Sequence, residues 1–131
     1  MVERLVEVRL DEGRDRPAVR RGLSPNDVVE ILRALEGKPD VTATISLEDS
    51  DERLLVAVSG ADAFLGLDSP DGLFQFVSKG EHSPATRRLI IGSQPTDIDS
   101  RSVVCVDTAA RVAEEWLEGG RESSLGVWER K

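Results

Sequence analysis

The stretch 41–59, VTATISLEDSDERLLVAVS, constrains the fold more than any other part of the chain. Val41, Ala43, Ile45 and Leu47 alternate with threonines and a serine, the period-two pattern of a strand with one buried and one wet face. Leu54, Val56 and Val58 repeat the pattern, and Leu55 and Ala57 between them predict a second face that is partly covered. Only the acidic link Glu48, Asp49, Asp51, Glu52 separates the two runs, so they form an antiparallel hairpin with a negative tip. The apolar face of such a sheet has to be covered, and the rest of the chain must supply the cover.

Two amphipathic helices can do so. In SPNDVVEILRALEGKP, Ser24 is placed to cap the helix, Pro25 takes the first helical position, and Asp27 completes the spacing of a capping box. Val28, Ile31, Leu32 and Leu35 then share one face. Gly37 supplies a left-handed end and Pro39 prevents resumption, which predicts a helix near 24–36. A second helix is expected near 107–118, capped by Asp107 or Thr108 and halted at Gly119-Gly120. Its stripe is Ala109, Val112, Ala113, Trp116 and Leu117, with Arg111, Glu114, Glu115 and Glu118 facing water, so Trp116 is core by position.

The remaining segments complete the sheet. Val2, Val6, Val8 and Leu10 share a parity in a strand over 2–10. DAFLGLDSPDGLFQFVS forms another hairpin about Asp71-Gly72, TRRLIIGS a short strand, and SLGVWER a terminal one. DEGRDRPAVRRG and QPTDIDSRS are expected to be exposed loops, the first with Arg14, Arg16, Arg20 and Arg21 solvated among Asp11, Glu12 and Asp15. The order β-α-β-β-β-β-β-α-β predicts one α+β domain over 1–131, a largely antiparallel sheet with two helices packed on one face.

Composition narrows the function. The charge of −8 disfavours general affinity for nucleic acid or anionic membrane and suits a basic protein partner. The start, MVERLVEVRLDEGR, is broken by charge and no apolar run approaches a membrane span, so a cytoplasmic protein is expected. Cys105, the one cysteine, lies in SVVCVD and is expected to be a small buried hydrophobe. His82, the one histidine, sits in the polar turn KGEHSPAT. No nucleophile elbow, phosphate loop or dinucleotide fingerprint is present. The chain is therefore expected to be no enzyme, with no catalytic, cofactor-binding or metal residue.

What it offers a partner is acidic loops. The candidates are Glu48, Asp49, Asp51 and Glu52, then Asp62, Asp68 and Asp71, then Asp97 and Asp99. In the second group Phe64, Leu65 and Leu67 lie between the acids, and Phe64 is either an apolar anchor for a partner or part of the core.

Two segments carry a resemblance. FLGLDSPDGLFQFVSKG and VVCVDTAARVAEEWLEGGRESSLGVWER together are similar, over roughly 41–130, to the first immunity-protein family of bacterial polymorphic toxin systems. The resemblance implies a cytoplasmic protein that needs no cofactor and neutralises a cognate toxin, of the deaminase type found beside this family, by binding its basic catalytic domain. It also implies that Trp128 closes the end of the sheet against the last helix. Where the family commonly has a proline after the helix-ending glycine, this chain has Arg121-Glu122. The other function to weigh is a chaperone or adaptor for a secreted effector, and the neighbouring gene separates the two.

Overall fold

The structure, a computed structural model, describes residues 6–12, 16–79, 86–91, 94–119 and 122–130. The expectations for residues 2–5, the loop at 13–15, His82 and Gly120 fall outside these. Among the described residues ten strands and two helices run in the order β1 (Val6–Asp11), β2 (Ala18–Leu23), α1 (Pro25–Arg33), β3 (Val41–Leu47), β4 (Arg53–Ser59), β5 (Asp62–Ser69), β6 (Gly72–Ser78), β7 (Thr86–Ile91), β8 (Gln94–Asp99), β9 (Val103–Cys105), α2 (Val106–Gly119) and β10 (Gly126–Arg130). The chain is the expected single α+β domain.

The main sheet has the order β10-β6-β5-β4-β3-β1-β2, and every pairing in it is antiparallel. Strand β9 extends it by pairing with the first residues of β5, Asp62 to Phe64, while β6 pairs with the last, Gly66 to Ser69. The alternation in β3 and β4 is realised as predicted. Ala43, Ile45, Leu54, Val56 and Val58 point into one core with Leu65, Leu67 and Phe76. Both helices cover this face: Val28, Ile31 and Leu32 from the first, with Leu35 from the turn that follows it, and Ala109, Val112, Ala113, Trp116 and Leu117 from the second.

Helix α1 begins as its sequence dictates. The Ser24 hydroxyl accepts from the Asp27 backbone N–H at 3.1 Å, and the Ser24 N–H donates to the Asp27 carboxylate at 3.0 Å. The helix ends sooner than expected, at Arg33 with Ala34 as its cap, and the left-handed Gly37, φ +87, lies in the turn beyond, where its N–H donates to the Gly60 carbonyl at 2.8 Å. Helix α2 starts earlier than expected, at Val106, so Asp107 and Thr108 lie within its first turn. Asp107 there receives the Arg33 guanidinium at 3.0 Å, joining the end of α1 to the start of α2.

The opposite face of the sheet is also covered, by a separate antiparallel hairpin of β7 and β8. Leu89 and Ile98 bury against Ala57 and Phe64, with Leu55, Ile91 and Val103 around them. This second small core explains the apolar residues at 55 and 57. It also corrects the sequence reading of QPTDIDSRS as a loop: Gln94–Asp99 is strand β8. In that strand Ile98 is buried while Gln94, Pro95 and Asp97 are exposed, so the apolar alternation that marks a strand is almost absent. The same reason hid β2. Its residues Ala18 to Gly22 are all exposed, because an edge strand needs only backbone partners on one side.

Cys105 is exposed, not buried. In β9 the inward position belongs to Val104, and the cysteine sulfur sits 3.1 Å from the Thr108 hydroxyl. The terminal strand β10 packs beside β6 in the register Gly126↔Ser78 to Arg130↔Phe74. Trp128 is half-buried at this end of the core, edge-on to Phe76 with ring centroids 5.4 Å apart. Gly126 makes the approach possible: a Cβ there would collide with the Val77 carbonyl oxygen and the Phe76 ring.

Candidate functional site

The register of the sheet decides which of the acidic residues meet. Arg53 at the start of β4 lies opposite Asp68 near the end of β5. The β3–β4 turn and the β5–β6 turn therefore leave the same end of the sheet. Glu48, Asp49 and Asp51 are exposed in the first turn, and Asp68 and Asp71 are exposed at the second. Asp62 stands at the other end of β5, opposite Ser59 and Cys105, about 20 Å away at roughly 3.3 Å per residue. The structure thus joins the first acidic group to Asp68 and Asp71 and separates Asp62 from them.

Each acid has a distinct setting. Glu52 is half-buried and accepts from the Trp116 indole at 3.4 Å, which ties the acidic turn to α2. Asp68 faces Arg53 at 3.6 Å, an exposed pair that contributes little to stability. The Asp71 carboxylate accepts from the Ser69 hydroxyl, and its carbonyl accepts from Arg130. On the β7–β8 hairpin, Asp97 pairs with Arg88 at 3.1 Å. Asp99 caps the 3-10 turn Ser100–Ser102, accepting from the Arg101 N–H at 3.0 Å, and also pairs with the Arg101 side chain at 3.4 Å. By contrast, Glu48 and Asp51 make no ion pair among the described residues.

Phe64 resolves in favour of the core. It is 2% exposed, beneath the β7–β8 hairpin, and a partner reaches no more than its edge. That edge lies in a groove of about 270 Å³ between the hairpin and the sheet, where Leu55, Gly66, Leu73, Ile91 and Thr96 also line the walls and Asp68 the rim. Leu73, 54% exposed, is the apolar side chain this groove presents to solvent. Sequence reasoning missed Leu73 and Val127, which sit in short strands where exposed and buried hydrophobes look alike.

The described residues thus present a sheet covered on both faces, an acidic turn end and an apolar groove. Among the described residues no helix is long and apolar enough to cross a membrane. The family model described as Immunity protein Imm1 matches residues 18–129, and the chain belongs to this immunity-protein family. It is thus an immunity protein, whose partner is a toxin. The match begins at β2 and takes in α1, so it reaches further toward the N-terminus than the resemblance read from the sequence. No curated protein matches the chain.

Proposed function

We propose that this protein neutralises a nucleic-acid-targeting toxin of the deaminase type, from a polymorphic toxin system, by binding its basic catalytic domain in the cytoplasm. The family membership carries the reading, and the charge of −8 supports the choice of partner. A toxin that grips phosphates presents a positive surface. The acidic turn end, with Glu48 and Asp51 free of ion pairs among the described residues, complements such a surface and steers encounter. Inhibition of this kind is stoichiometric occupancy and requires no turnover by the immunity protein.

Titration tests it. The purified chain is added to the catalytic domain of the toxin encoded beside its gene, and deamination of a single-stranded oligonucleotide is followed. Activity is expected to fall linearly to zero at a fixed molar ratio. Full activity at a large excess of folded protein contradicts the proposal.

A further inference from the structure

The two edges of the main sheet are built differently. Strand β2 has the features that prevent another strand from adding. Its register against β1 shifts between Val6↔Leu23 and Val8↔Arg20, a bulge with Gly22 at φ +69, and Arg20 and Arg21 stand exposed along it. Strand β10 has no such bulge or left-handed glycine, and it carries one exposed arginine, Arg130, where β2 carries two. Its register against β6 is unbroken over all five residues. Its charged side chains are turned onto the protein itself: Glu129 toward Arg101 at 3.9 Å, and Arg130 onto the Asp71 carbonyl and over the Phe74 ring, 5.6 Å from its centroid. Among the described residues β10 pairs with β6 alone, which leaves a row of backbone donors and acceptors facing outward beside Val127, 51% exposed.

Beside this edge lies a depression of about 480 Å³ lined by Phe74, Glu122, Ser123, Gly126, Val127 and Trp128. Aromatic faces with a carboxylate at the rim form a site for a cationic side chain. Arg130 already occupies the Phe74 ring with its guanidinium, which leaves Trp128 and Glu122 of the lining for a further cation. Glu122 is exposed and makes no ion pair among the described residues.

We propose that β10 is the edge at which the toxin adds a strand: an extended toxin segment pairs with the β10 backbone and places a lysine or arginine in the depression, against Trp128 and Glu122. Main-chain hydrogen bonds then supply affinity and the alternate side chains supply specificity. The inference rests on the toxin-binding reading and assigns it a surface. Charge selects this occupant over a second copy of the chain, since two copies bring −8 against −8.

Hydrogen exchange of the full chain, alone and with a catalytically inert form of the neighbouring toxin's catalytic domain, tests the assignment. In the complex, those amides of 126–130 that exchange freely in the free protein are expected to slow by about tenfold or more. Glu122→Lys is expected to weaken binding by about tenfold with an unchanged Tm. A complex that forms while exchange at 126–130 and the affinity of Glu122→Lys stay as before overturns strand addition and leaves toxin neutralisation standing. A free protein that dimerises through these amides assigns the edge to a second copy and overturns the proposal. Absence of any complex overturns both.

Discussion

The Trp116 indole donates to the Glu52 carboxylate at 3.4 Å, so the most buried large residue of α2 also holds the end of the acidic β3–β4 turn. Trp116 is 2% exposed, and its removal leaves a cavity between α2 and the sheet. Trp116→Ala is expected to cost on the order of 3–5 kcal/mol in urea unfolding. A loss below about 1 kcal/mol contradicts the packing of α2 described above.

Gly126 is a second sensitive point, for a steric reason. Its missing Cβ is occupied space, filled by the Val77 carbonyl and the Phe76 ring. Gly126→Ala must displace β10 or Phe76, so a loss of about 1–3 kcal/mol is expected, with faster amide exchange across 126–130. Unchanged stability and exchange would place β10 further from β6 than the register requires.

Acid weakens the start of α1. Hydrogen bonds from the Ser24 backbone and then from its hydroxyl lower the Asp27 carboxyl below its ordinary value of 3.8. A carboxyl lowered in the folded state adds stability that is present above the unfolded value and is lost as pH falls through the folded one. Asp27→Asn is therefore expected to be less stable than the parent near neutral pH, with the difference fading in acid. A difference that persists at about pH 2 contradicts this linkage.

The charges at the turn end are expected to set the rate of toxin association. Reversing Glu48, Asp51 and Asp68 to lysine should slow association by about tenfold at low salt and much less at high salt, because steering is screened. Reversing Asp62, at the other end of β5, should change the rate less. Stopped-flow mixing across a salt series measures both. Equal effects of the two changes would move the steering surface elsewhere.

What the sequence revealed follows from burial. Strands β3 and β4 and the stripes of both helices were legible because each lays a periodic apolar face against the core. Strands β2 and β8 were not, since one is exposed along almost its whole length and the other buries little besides Ile98. Cys105 misled because its valine neighbours mark a strand without saying which parity points inward. For the site, the acidic residues were legible as types, but only the pairing of Arg53 with Asp68 shows which turns meet. That Gly126–Arg130 forms an open edge is a fact of strand order, which no local pattern encodes.

Survival of cells tests the central claim most directly. The toxin encoded beside this chain's gene is expressed from one promoter and the immunity protein from another, with both levels verified by immunoblot. The account predicts that toxin alone kills and that co-expression restores growth to that of cells without toxin. Continued killing in the presence of abundant, folded immunity protein would contradict it.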